Sequence, residues 1–211
     1  MRAYKPSSLS FLISSSDLNC FIKRATELRI KAIPEVLDYF SKEIELKKET
    51  LYNCKMVQAQ DGVSVESDTL GALLYPLEGD TFALDMVIKP ERYHEFGIAL
   101  HVDKELETGY FLRMNPKNQL VAWDMWPRGE QGRYQWQIKG DVPYQIETAR
   151  KLPKAEEYRV HIIKEKDICV VYINDEIVLS TRMYNHKDGY AGIYVVQGNV
   201  KLIQYKEKRS E

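Results

Sequence analysis

From Leu51 onward the chain is written in steps of two. In the run Phe82-Ala83-Leu84-Asp85-Met86-Val87-Ile88, the residues Phe82, Leu84, Met86 and Ile88 fall on one side of an extended backbone, because successive strand side chains point to opposite faces. The same alternation returns in Phe96, Ile98, Leu100 and Val102, in Tyr110, Leu112 and Met114, and in Val121, Trp123 and Met125. It continues through Tyr158, Val160 and Ile162, then Ile168, Val170 and Tyr172. A period of two over so many short segments builds sheets with one apolar face each, and such faces are buried by stacking one sheet on another.

The connections specify antiparallel pairing. Asn174-Asp175 stands between Ile173 and Ile177 as a tight hairpin, and Glu165-Lys166-Asp167 makes a second short link, since Asn and Asp tolerate the backbone angles such turns need. Asn115-Pro116-Lys117-Asn118 and Asp188-Gly189 punctuate further along. After residue 50 there is no capped helical stretch of ten or more residues between strands, which disfavours crossover units and nucleotide-binding α/β folds. The expected fold is all-β: a two-sheet antiparallel sandwich of the jelly-roll kind, with about ten to thirteen short strands over residues 51–211. Residues 1–50 read as an N-terminal extension or linker, in which Val36, Leu37, Phe40 and Ile44 recur at roughly helical spacing.

Charge and cysteines narrow the function. With 30 basic and 31 acidic side chains and a net charge of -1, the chain has no cationic field for a polyanion, so nucleic acid is not an expected partner. Cys20, Cys54 and Cys169 are scattered and outside any C-x-x-C pair, so neither a disulfide framework nor a zinc site is expected. The apolar run Phe11 to Ile13 is too short for a secretory or membrane-spanning segment, and the expectation is a cytoplasmic chain or a piece of a larger protein, without a membrane partner.

Catalytic motifs are missing. There is no G-x-S-x-G elbow, no H-E-x-x-H, no G-x-x-x-x-G-K-[ST] and no G-x-G-x-x-G, so hydrolase, zinc-protease and phosphate-loop chemistries lack their local geometry. Glycoside hydrolysis needs only two carboxylates. However, the E-x-D-x-[x]-E strand of sandwich glucanases is absent, and Glu105 and Glu107 fall in a polar loop where no desolvation would raise their pKa. His94, His101, His161 and His186 lie on separate segments as strand-exterior histidines. No D-x-D-x-D-G loop gathers Asp61, Asp80, Asp103 or Asp188 into a calcium site. No metal or cofactor is expected.

If the apolar rows face the core, the opposite row presents Gly97, Ala99 and His101, then Phe111 and Arg113, then Asp124 and Trp126. Small residues beside aromatic plates, with a cation, an acceptor and an imidazole nearby, can hold a sugar by stacking and hydrogen bonds. His101, Phe111, Arg113, Asp124 and Trp126 are the candidate ligand residues. The plainer reading of the same face is the stronger one: it packs on another domain or is an ordinary sheet exterior. The run from Trp126 to Trp136 is a glycine-containing loop in which Arg128, Arg133, Tyr134 and Trp136 form a candidate interface, because Trp, Tyr and Arg dominate interface cores. A loop folded on its own aromatics, or a sugar contact, fits its composition too.

One resemblance extends this. From Glu157 to Lys206 the chain reads EYRVHIIKEKDICVVYINDEIVLSTRMYNHKDGYAGIYVVQGNVKLIQYK. Its aromatic-led strand, V-x-I-N-[DG] edge, G-x-x-G-[IL] strand and closing strand resemble the end of a concanavalin A-like sandwich. Within that group it is similar to the C-terminal module of family 32 glycoside hydrolases, the invertase, levanase and sucrose-6-phosphate hydrolase family. The segment Glu27 to Leu37, with Pro34-Glu35-Val36-Leu37, resembles the linker between the propeller and the sandwich of those enzymes. The family's acids sit on the propeller, in motifs resembling W-M-N-D-P-N-G, R-D-P and E-C. None occurs here, and no catalytic residue carries over. The resemblance implies a non-catalytic accessory domain that packs on a glycoside hydrolase propeller, in cis or in trans. The alternative is a freestanding carbohydrate-binding or lectin-like module. A self-contained hydrolase ranks third, and it would need two carboxylates about 5 to 9.5 Å apart in one cleft.

Overall fold

The computed structural model describes residues 19–24, 27–126, 144–146 and 151–210. The chain begins with a hairpin, β1 (Asn19–Arg24) and β2 (Glu27–Ala32), followed by a short helix, α1 (Pro34–Tyr39). Next come β3 (Lys42–Ile44), β4 (Thr50–Tyr52), β5 (Lys55–Ala59), β6 (Gly62–Leu77) and β7 (Thr81–Arg92). β8 (Glu95–Val102), β9 (Gly109–Asn115), β10 (Leu120–Trp126) and β11 (Tyr144–Gln145) form a meander. β12 (Tyr158–Glu165), β13 (Ile168–Ile173), β14 (Ile177–Arg182) and β15 (Gly189–Arg209) complete the fold.

The pairings are antiparallel and make two layers that share their longest strands. The front sheet runs β4, the second half of β6, the first half of β15, then β8, β9, β10 and β11. The back sheet runs β5, the first half of β6, the second half of β15, then β7, β12, β13 and β14. The expected sandwich is therefore present. Its strands are not all short, however: the G-x-x-G-[IL] strand and the closing strand are one 21-residue strand, β15. The chain crosses between layers there at a bulge, where the register with β6 shifts between Val196 and Gly198 and Gln197 has φ +49°. A Cβ on Gly198 would stand 1.9 Å from the Arg92 carbonyl oxygen, so only glycine permits this close approach.

The inter-sheet core is what the alternation specifies. Phe82, Leu84, Met86 and Ile88 meet Phe96, Ile98 and Leu100, Leu112 and Met114, and the fully buried Trp123. The Asn174-Asp175 hairpin has φ of +53° and +59° at its two central residues, as a tight turn matched to the twist of its strands requires.

Two expectations about faces are corrected. On β13 the row turned into the core is Cys169, Val171 and Ile173, whereas Val170 and Tyr172 lie on the outer side of the back sheet. α1 covers that side, seating Val36 and Phe40, one helical turn apart, against Ala83 and Ile163 while Leu37 faces solvent. A strand buried on both faces is apolar throughout, so apolarity cannot tell which row turns inward. The second correction is at the end of β8, where Val102 packs on the outer face of the front sheet and not in the core.

Residues 27–50 are fastened to the sandwich as well. The Ile30 amide donates to the Asp175 carbonyl at 2.7 Å, Lys31 pairs with Asp175 at 2.9 Å, and β3 adds to the end of β15. Beside α1, Asp85 sits between His161 and Lys208, with Lys208 Nζ at 2.6 Å. Burial raises its pKa, but its hydrogen bonds with His161 and Lys208 outweigh this and hold it at about 2. Among the described residues, no helix is long and apolar enough to cross a membrane.

Candidate functional site

The outer face of the front sheet is built from rows of opposed residues. One row runs Ala72, Tyr194, Gly97, Arg113, Ala122, and the next runs Leu74, Gly192, Ala99, Phe111, Asp124. Small residues alternate with large ones, which gives Tyr194, Arg113 and Phe111 room to lie across the sheet. At Gly97 the need is direct: a Cβ there would meet the Leu112 carbonyl oxygen at 1.9 Å and the Tyr194 ring at 2.8 Å. Phe111 meets Tyr194 edge to face, with ring centroids 5.7 Å apart.

This face encloses a concavity of about 480 Å³, a size suited to a small organic ligand, lined at its polar centre by Glu95, Arg113 and Asp124. Phe111, Tyr194 and the half-buried Trp126 provide its aromatic walls, and Leu70, Leu106 and Val196 complete the lining. Arg113 Nε stands 2.9 Å from Asp124 Oδ2 and 4.0 Å from Glu95 Oε2, and Nη2 donates to Asp124 Oδ1 at 3.4 Å. The Tyr194 hydroxyl donates to Glu95 Oε1 at 3.3 Å. Arg113 Nε is buried and held by the Asp124 charge, although its N–H is not aligned for a hydrogen bond with any acceptor among the described residues.

The electrostatics follow from burial. Desolvation pushes the Asp124 and Glu95 carboxyls up, while the Arg113 charge pulls both back down. Burial, with the Glu95 charge beside it, takes the Tyr194 phenol well above its ordinary value. Desolvation is the larger effect at both carboxyls, and the lining brings these two groups together with one guanidinium.

Four of the five candidate ligand residues, Phe111, Arg113, Asp124 and Trp126, share this one concavity. His101 does not, and this expectation is corrected. His101 is a bulged residue with φ +52°, at the point where the pairing with β15 skips from Leu100 to Val102. The extra residue turns the imidazole inward, 1% exposed and 5.6 Å from the Phe82 ring, and sends Val102 outward in its place. The strand-exterior reading of this histidine is overturned for the same reason. The interface candidates Arg128, Arg133, Tyr134 and Trp136 lie outside the described residues.

Two site residues escape the sequence reading. Glu95 shares parity with Gly97 and Ala99, and starting β8 one residue earlier would have placed it on this face. Tyr194 is marked by the alternation Tyr190, Gly192, Tyr194 on β15, where an aromatic residue lies opposite Gly97. Among the described residues no group of three His, Cys, Asp or Glu side chains could hold a metal ion.

No protein-family model matches the chain, and no curated protein matches its sequence. Solved structures do match. A carbohydrate-binding module, CBM66 from Bacillus subtilis, superposes with a TM-score of 0.64 at 17% identity, covering 77% of this chain and 96% of that one. A glycosyl hydrolase described as putative, from Parabacteroides distasonis, gives a TM-score of 0.54 at 15% identity over 77% of this chain and 88% of that one. A Bacillus subtilis protein of unknown function with a galectin-like fold gives 0.52 at 8% identity over 77% and 89%. At these identities the likeness is one of fold: the chain is a β-sandwich of the kind found in carbohydrate-binding modules and galectin-like proteins.

Proposed function

We propose that this chain is a non-catalytic saccharide-binding module that holds a sugar on the outer face of its front sheet. The observation that carries this reading is the Glu95, Arg113, Asp124 cluster, set at the centre of an aromatic-walled concavity. Two adjacent sugar hydroxyls can donate to the carboxylates and accept from the guanidinium, while a ring face stacks on Trp126 or Phe111. The fold shared with a carbohydrate-binding module supports the same reading.

Hydrolysis is disfavoured by the placement of Arg113. A glycosidase needs open space between its two carboxyls for the scissile bond and, in inverting enzymes, a water. Here Arg113 Nε stands 4.0 Å from one carboxyl and 2.9 Å from the other, so a fixed cation neighbours both. The family 32 context is a further part of the proposal: the module would serve a propeller-bearing glycoside hydrolase, in cis or in trans, as its sugar-binding accessory. The concavity puts ligand binding ahead of a purely packing role.

Titration calorimetry against neutral monosaccharides and against sucrose, levan and inulin oligosaccharides tests the proposal. Saturable binding is expected, weakened at least tenfold by Trp126→Ala, with no sugar released from any bound oligosaccharide. Turnover abolished by Glu95→Gln or Asp124→Asn would replace the module with an enzyme.

A further inference from the structure

The charges at the centre of the concavity do not cancel. Among the described residues that line it, two carboxyls face a single guanidinium, an excess of one acidic group in a half-buried site. Asp124 claims the guanidinium, with contacts at 2.9 Å and 3.4 Å. Glu95 is left with the 4.0 Å approach of Nε and one phenolic hydrogen bond from Tyr194. Its side chain is 23% exposed, so water screens it less than a surface carboxylate. The free lone pairs of Glu95 call for hydrogen-bond donors from the ligand, and an anionic group brought there would meet uncompensated charge in a medium of reduced dielectric.

We infer that the site discriminates by charge, accepting neutral or amine-bearing sugars through hydroxyl or ammonium donors to Glu95 and rejecting phosphorylated and uronic acid sugars. The inference rests on the saccharide-binding reading above and adds the chemical class of the ligand.

The test titrates the whole chain by NMR at about pH 7, where a sugar phosphate carries close to two negative charges and an amino sugar is mainly an ammonium. The probes are fructose, glucose, galactose and mannose, the 6-phosphate of each, and glucosamine, galactosamine and mannosamine. Each sugar 6-phosphate should bind at least tenfold more weakly than its parent at low ionic strength, and the amino sugars at least as tightly as theirs. The phosphate penalty should shrink as salt is raised and should fall at least threefold in Glu95→Gln, which keeps an acceptor for Tyr194 while removing the charge. A 6-phosphate that binds as tightly as its parent overturns the inference. A penalty indifferent to both salt and Glu95→Gln also overturns it, since that pattern is steric exclusion. Failure of the saccharide reading itself looks different: none of the probes, charged or neutral, would bind.

Discussion

Between pH 6.5 and 4.5 the folded chain should lose about 2 kcal/mol of stability through His101 alone. The imidazole is buried by the β8 bulge, and neither ring nitrogen has a hydrogen-bond partner among the described residues. Burial lowers its pKa to about 3; the Lys164 and His186 charges add to this, while Asp188 and Asp80 oppose it. The unfolded chain takes up a proton below the ordinary histidine value of about 6.5, and the native chain cannot until about pH 3, so stability rises with pH across that window and is lost on acidification. Urea denaturation at steps from pH 7 to pH 4.5 measures the slope. His101→Leu, of similar volume and without a titrating ring, should flatten it. Other groups act in the same window, with Glu95 and Asp124 of opposite sign, so the decisive quantity is the difference between the parent and His101→Leu. If the two curves run parallel, the imidazole is not buried as described. Asp85 adds its own acid loss only below about pH 4, as the pH approaches its folded value of about 2.

Arg113→Leu should both abolish saccharide binding and cost about 2–3 kcal/mol of stability at pH 7. Removing the guanidinium leaves Asp124, 5% exposed, and Glu95 as neighbouring carboxylates without a cation. The cost should fall as the pH is lowered, because both carboxyls, already raised by burial, would protonate and cease to repel. Chemical denaturation at pH 7 and pH 5 reads this directly. A loss independent of pH would mean that Arg113 acts through packing of its stem alone. Arg113→Lys serves as the control: it should restore most of the stability but not the binding, since an ammonium lacks the forked donors of a guanidinium.

Most of the fold is legible in the sequence because it depends on period-two burial, which acts locally. The rows on β7, β8, β9, β10 and β12 lie in the inter-sheet core apart from Val102. The turn at Asn174-Asp175 has the positive φ its residue types allow. What the sequence hides is set at longer range. The bulge at His101 arises from pairing with β15 about ninety residues away, and one extra residue there moves a candidate ligand residue into the core. The continuity of β15 is hidden because Gly198 looks like a break but serves as a close crossing over Arg92. Alternation brought Phe111, Arg113, Asp124 and Trp126 onto one face. The strand order then placed Glu95 and Tyr194 beside them, and that order is tertiary information.

Mapping the contact surface tests the central claim most directly. With backbone amides assigned, titration of a neutral saccharide that binds should move the resonances of Glu95, Phe111, Arg113, Asp124, Trp126 and Tyr194 together, saturating with one dissociation constant. Resonances around Asp85 and His161 on the back sheet should stay still. Shifts centred on the back sheet, or no shift with any neutral sugar at tens of millimolar, would contradict the assignment of the front-sheet concavity as the binding site.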